Sequence, residues 1–173
     1  MFFSSQLVNS LKEDHDLIRT YLLGVRDVDL QLSTRQLALG ELSRVVRSHV
    51  EREEKVVYSF MRSVPELKEQ AEEASEEHDV AEYLLNQLER PMSESTWVAK
   101  VKVFSEILER HLDEEEAHMF SKLKRHLDSD LDEDLNRRFM DGRVQPKTLE
   151  GEFIPEPYPL VSGDAWVNWI NRF

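Results

Sequence analysis

Apolar residues recur at steps of three and four along most of the chain, the repeat of helices that bury one face. Leu7, Leu11, Ile18, Leu22 and Val25 mark a first stripe, and Leu39, Leu42, Val46, Val56 and Phe60 a second. Leu67, Ala71, Ala74, Ala81, Leu85 and Leu88 mark a third, and Val101, Phe104 and Leu108 a fourth. Turn signals near Asp29 to Ser33, at Val64 and Pro65, and from Arg90 to Ser95 separate them. Proline is tolerated in a first helical turn and disfavoured inside a helix, so Pro65 and Pro91 act as boundaries. The pattern predicts helices over about residues 5–28, from Ser33 or Thr34 to before Pro65, from Pro65 to before Pro91, and from Ser93 or Ser95 to about Leu127. Short loops force antiparallel neighbours. The expected fold is therefore all-α, an up-down-up-down four-helix bundle over residues 1–128. Residues 129–173 are expected to form a short acidic fifth helix, near Asp130 to Met140, and an extended proline-rich tail.

Each stripe has a gap filled by a polar residue. His15 stands in the first, His49 and Glu53 in the second, His78 in the third, and His111 and Glu115 in the fourth. An unpaired polar group at a core position costs roughly 2–7 kcal/mol on transfer scales. Something must satisfy these six. The two His-x-x-x-Glu pairs each span one helical turn, so both members share a face. Counted from the turns, His15 and His49 lie at one height, each about 16 residues, roughly 24 Å, from the first loop. Glu53 and His78 are each about 12 residues from the second turn, and all six residues fall in one thick layer. Imidazole suits iron, zinc, copper and nickel, while carboxylate can bridge two hard ions. A His/Glu set without cysteine favours iron or manganese over a structural zinc site.

The second and fourth stretches form an internal repeat. His-x-x-x-Glu-Glu occurs in both, followed by Phe60 eleven residues after one His and Phe120 nine residues after the other. Helix pairs one–two and three–four each read His, turn, His-x-x-x-Glu. This pseudo-twofold arrangement assigns one ion mainly to each half.

Composition narrows the function classes. The chain has 173 residues, enough for one domain with a full core. It has no cysteine, which excludes disulfides, thiolate zinc sites and iron–sulfur clusters. A net charge of −13 argues against nucleic acid and anionic membranes as partners. Met1 to Ser5 is apolar but short and lacks a basic start, so it does not read as a signal peptide, and the expected compartment is the cytoplasm.

Glu13-Asp14-His15-Asp16, His49 to Phe60, Glu77-His78-Asp79 and His111 to Phe120 resemble the hemerythrin-like, or HHE cation-binding, family, over roughly residues 6–127. The resemblance implies a non-haem centre of two Fe ions inside the bundle. It implies that Glu53 and Glu115 bridge the ions, with His15, His49, His78 and His111 as terminal ligands. Oxygen carriers of the family have His-x-x-x-His on the third helix. Here Glu82 stands four residues after His78 and Ala74 four before. The third helix thus offers one His, which opens an extra exchangeable position or calls for another ligand. His118, in phase with Glu115 if the helix is regular, and Glu82 are the candidates, as ligands or as hydrogen-bonded neighbours of ligands. Helical phase places Glu54 and Glu116 about 100° from Glu53 and Glu115, on the flank. Glu77 reads as a solvated carboxylate or the lining of an entry path. His126 reads as a solvated residue near a helix C-terminus.

The expected function is that of a hemerythrin-like protein binding oxygen, nitric oxide or peroxide for sensing, storage or detoxification, with catalytic turnover left open. The alternative is an iron-responsive module whose fold depends on metal and whose C-terminal tail docks a protein partner. Trp166, Trp169, Ile170 and Phe173 have helical spacing in that tail. They are expected to pack on the bundle, or on a second copy in a homodimer.

Overall fold

The computed structural model describes residues 4–145. The sequence expectations for the proline-rich segment and for Trp166, Trp169, Ile170 and Phe173 fall outside the described residues. Within them the chain is helical, with no strand. Helix α1 is Gln6–Arg26. Helix α2 is Leu32–Arg52, continued by a wider π turn over Glu53–Tyr58 and a last turn Ser59–Ser63. Helix α3 is Pro65–Leu88. Helix α4 is Glu94–Glu114, continued by a π turn Glu115–Met119, a turn Phe120–Leu123 and a tight turn Lys124–His126. Helix α5 is Ser129–Met140. Neighbours in sequence pack on one another, and α1 closes the bundle against α4. No helix among the described residues is long and apolar enough to cross a membrane.

Local chemistry sets the helix ends. Ser5 accepts a hydrogen bond from the Val8 amide at 3.1 Å, and Ser93 accepts one from Thr96 at 3.3 Å. Each thus satisfies an amide that its helix leaves open. Pro65 occupies the first turn of α3, where its missing N–H has no partner to lose. Arg35 donates to the Val25 carbonyl at 2.9 Å and lies 5.1 Å from the Trp97 ring, which ties the end of α1 to α2 and α4.

Two apolar clusters fill the interior. One is built from Ile18, Leu22, Leu42, Val46, Leu85, Trp97 and Phe104 with their neighbours. The other holds Leu7, Leu11, Val57, Tyr58, Met61, Leu67, Ala71, Phe120 and Leu123. Between Leu11 and Ile18, Val46 and Val56, Ala74 and Ala81, and Leu108 and Met119, the four helices share one polar layer. Helix α5 seals the second cluster with Leu135 and Phe139. Asp132, buried to 1 %, anchors it by accepting the Gln6 amide at 2.7 Å and the Ser5 hydroxyl. That carboxylate sits at the positive end of α1.

Asp132→Ala should leave two donors at the start of α1 without a partner and cost roughly 2 kcal/mol. Thermal melts followed by circular dichroism check this. A loss below a few tenths would show that α5 is not anchored there.

Candidate metal centre

All six residues singled out by the sequence meet in the polar layer. His15, His49, Glu53, His78, His111 and Glu115 are each at most 4 % exposed. Their inward atoms converge. Glu53 Oε2 lies 3.0 Å from His49 Nε2 and 3.6 Å from His78 Nε2. Glu115 Oε2 lies 3.3 Å from His15 Nε2 and 3.6 Å from His111 Nε2. Each carboxylate thus faces one histidine of each half. Two groupings of ligand atoms result, His15, His49, Glu53 and Glu115 in one, and Glu53, His78 and His111 in the other, each with its atoms within 4.8 Å of one another.

The outward nitrogens obey one rule. His15 Nδ1 faces Glu116 at 2.9 Å, His49 Nδ1 faces Asp14 at 3.4 Å, His78 Nδ1 faces Glu54 at 3.2 Å, and His111 Nδ1 faces Glu77 at 2.9 Å. An ionised carboxylate only accepts, so each Nδ1 carries the proton and donates. Nε2 of each ring then faces the interior, the nitrogen a metal ion would take as a lone-pair donor. An arginine holds each carboxylate from behind. Arg19 bonds Glu116 at 2.7 Å, Arg62 bonds Glu54 at 3.1 Å, Arg110 bonds Glu77 at 3.1 Å, and Arg52 bonds Asp14. The pattern follows the repeat. The acid before His15 or His78 serves the second histidine of its own half, and the acid after Glu53 or Glu115 serves the other half.

Helical phase alone treats Glu54 and Glu116 as flank residues and Glu77 as solvated, and the structure corrects that. A residue one step from a ligand lies about 100° around the helix. In this bundle that direction meets the neighbouring helix where its histidine turns its outer nitrogen. The signal was visible as repeated acids at fixed offsets, but only packing shows what they touch.

The π turns account for the other differences. Ser59 N–H bonds to Glu54 O and Phe120 N–H to Glu115 O, each five residues back. One extra residue per turn moves the core positions that follow by one. Met61, fully buried, takes the place expected for Phe60, which is only partly buried. Met119 takes the place expected for His118, which is exposed and outside the centre. Glu82 also turns away, accepting from Arg47 at 3.1 Å and from Asn86 at 2.9 Å. Helix α3 therefore brings His78 alone into the layer, with Ala74 in the apolar cluster one turn before it.

The same shift reveals the true aromatic repeat, Tyr58 and Phe120, nine residues after His49 and His111. Phe120 packs on His15, its centroid 5.4 Å away, and Tyr58 stacks on His78 at 5.2 Å. Tyr58 adds a hydroxyl that donates to Glu115 Oε1 at 2.6 Å. Neither Glu53 oxygen has such a donor, so the two carboxylates differ. Burial, together with the charges of Glu115 and Glu53, pushes the Tyr58 phenol well above its ordinary value, which keeps it a donor.

Residues 6–123 match the model of the hemerythrin HHE cation binding domain. The chain belongs to this family. No curated protein and no solved structure matches it. The HHE domain is a cation-binding domain, and the buried His/Glu groups of this chain are placed where they could hold a metal. The match ends before α5.

Without an ion, protons and charges compete inside the layer. Burial would raise the Asp14 carboxyl, but the hydrogen bond and charge of His49 and the charge of Arg52 outweigh it and hold it at about 2. Burial also acts on Glu54 and Glu116. Hydrogen bonds from His78 and Ser75 on one, and from His15 with the charge of Arg19 on the other, bring each down to about 2. Burial would lower His49, yet the Glu53 charge and the Asp14 hydrogen bond push it up to about 10.

Two predictions follow from these contacts. Depressed carboxylates contribute stability above their unfolded values that disappears as pH falls toward 2, whereas the raised His49 contributes below 6.5 and loses its contribution as pH rises through about 10. Metal-free protein should therefore have its highest denaturant midpoint near about pH 5.5, lower at about pH 3 and at about pH 9. A midpoint that climbs steadily to pH 9 would contradict this balance. Second, Glu54→Ala, Glu77→Ala and Glu116→Ala should each weaken metal binding by about 10- to 100-fold, while Glu82→Ala and His118→Ala should not. Chelator competition measures all five, and equal affinities throughout would remove the role given to the outer carboxylates.

Proposed function

We propose that this HHE protein is a non-haem di-iron protein that binds a small ligand, oxygen, nitric oxide or peroxide, for sensing, storage or detoxification. The carrying observation is the set of inward atoms that have no hydrogen-bond partner. His15 Nε2, His49 Nε2, both Glu53 oxygens and Glu115 Oε2 are buried without one. His78 Nε2 and His111 Nε2 stand 3.0 Å apart, two lone pairs facing each other when Nδ1 carries the proton. Unmet acceptors at this depth cost several kcal/mol, and cations satisfy all of them at once. The donor set of imidazole and carboxylate fits iron.

In this reading His15 and His49 hold one ion, His78 and His111 hold the other, and Glu53 and Glu115 are shared between them. Bound iron supplies redox capacity and coordination positions for a diatomic or peroxide ligand. The chain does the rest. Its outer carboxylates lock the imidazoles, Tyr58 orients Glu115, and apolar clusters lie above and below the layer. With His78 as the one ligand from α3, the His78 side keeps a position open. The second reading is an iron-responsive module with a protein partner on the C-terminal tail. It is favoured by the central depth of the layer, since a stripped centre leaves its charged groups buried and should loosen the whole bundle.

Elemental analysis after expression in iron-replete medium should give about two irons per chain. A value near zero, or zinc alone, sinks the di-iron reading. Anaerobically reduced protein should react with oxygen quickly and not return it under vacuum, because the position left by the single histidine of α3 would add to the one an oxygen carrier keeps, and two such positions would admit water and favour oxidation. Nitric oxide should bind the reduced form. An optical spectrum that reverses on removing oxygen would restore the carrier role. If chelation instead melts the protein and no gas reacts at a defined stoichiometry, the module reading takes its place.

A further inference from the structure

We propose that helix α5 and Arg143, both beyond the family match, complete the His49 side of the metal centre by fixing Asp14, so that seating of this helix and retention of the ion at His15 and His49 are coupled. The ion is the one assigned by the di-iron reading, and the inference rests on it.

Asp14 is 2 % exposed, and both of its oxygens are committed. Oδ2 faces His49 Nδ1 at 3.4 Å and also accepts from Arg52 Nη2. Oδ1 pairs with Arg143 Nε at 2.7 Å. Arg52 is itself held by α5. Its Nη1 donates to the Phe139 carbonyl at 3.1 Å, and its guanidinium lies 4.4 Å from the Phe139 ring. The same ring meets His49 edge-on at 6.2 Å. Phe139 is fully buried, so one residue of α5 packs on the histidine, on the arginine and in the apolar cluster at once.

The other outer carboxylates take their arginines from the bundle, Arg19 on α1, Arg62 on α2 and Arg110 on α4. Among the described residues, Asp14 alone of the four is also gripped from beyond the bundle. Its 3.4 Å approach to His49 is the longest of the four. The chain is shaped for the purpose. Gly142 has φ +76°, a conformation side chains disfavour, and this reverses the chain after α5. Arg143 N–H then bonds Met140 O at 3.2 Å, and the side chain reaches back to Asp14 and to Glu13 at 3.2 Å. At its other end α5 is fastened by Asp132 to the start of α1. Asp14 is thus a positioning residue for His49, and α5 positions Asp14. Coupling of this kind is reciprocal, so an ion at His49 should hold α5 down as firmly as α5 holds His49.

The test uses the full chain loaded with iron. Arg143→Gln changes a partly exposed residue and keeps the fold, Phe139→Leu keeps an apolar side chain but removes the ring, and Arg138→Gln on the same helix is the control. Chelator titration should show one of the two irons leaving Arg143→Gln and Phe139→Leu about 10-fold more readily than from wild type, with the second unchanged. Arg138→Gln should match wild type. Hydrogen exchange over residues 129–140 should quicken on iron removal by more in wild type than in Arg143→Gln, a difference that general loosening of the bundle would not produce. Wild-type retention of both irons in Arg143→Gln, or exchange in α5 indifferent to iron, overturns the inference while leaving the di-iron reading intact. A wild type that takes up no iron sinks that reading and the inference with it.

Discussion

Six ionisable side chains meet in the middle of the bundle with apolar clusters on both sides, and everything else in the molecule answers to that fact. Charges and acceptors at such depth are tolerated only when partnered. The chain meets half of the requirement itself. Each histidine donates outward to a carboxylate, and each carboxylate is also held by an arginine. The inward half is left to a cation. The outer contacts are all made by protein groups, an arrangement that would orient the imidazoles and lower the ordering cost of holding an ion.

Repetition and its breaking are both written into the two π turns. Each widens the helix at the glutamate of a His-x-x-x-Glu pair, where regular helix would have continued. Such bulges occur often at functional sites. Here the extra residue brings an aromatic side chain, nine positions after the histidine, against a histidine of the centre. In one half that residue is Phe120, and in the other it is Tyr58, whose hydroxyl reaches Glu115. A near-symmetric shell therefore encloses two chemically different carboxylates. The lone histidine on α3 adds a second asymmetry, on the side where Tyr58 stacks.

The additional helix deepens this picture. All four outer arginines belong to the bundle, and one of them, Arg52, is also braced by Phe139 of α5. Its carboxylate partner is also gripped by Arg143. The fold's edge and its centre are thereby joined through one carboxylate, Asp14. A segment that packing alone would describe as a cap on an apolar cluster also touches the machinery that orients a ligand.

The helices, their boundaries at Pro65 and Ser93, and the inward phase of His15, His49, Glu53, His78, His111 and Glu115 were legible in the sequence. The reason is periodicity. A buried stripe repeats every 3.6 residues, and a polar residue in phase with it has few explanations. The roles of Asp14, Glu54, Glu77 and Glu116 were not legible, because they depend on which neighbouring helix lies a hundred degrees away. His118 was misplaced and Tyr58 overlooked for one reason. A π turn adds a residue without any mark in composition, and phase counted along a regular helix fails beyond it. What the sequence determined by itself was the set of groups that must share one buried layer, since local periodicity decides burial. Which carboxylate holds which histidine, and that α5 reaches the centre at all, was decided only by tertiary structure, because those contacts join residues 24 to 101 positions apart and the chain reveals them only when packed.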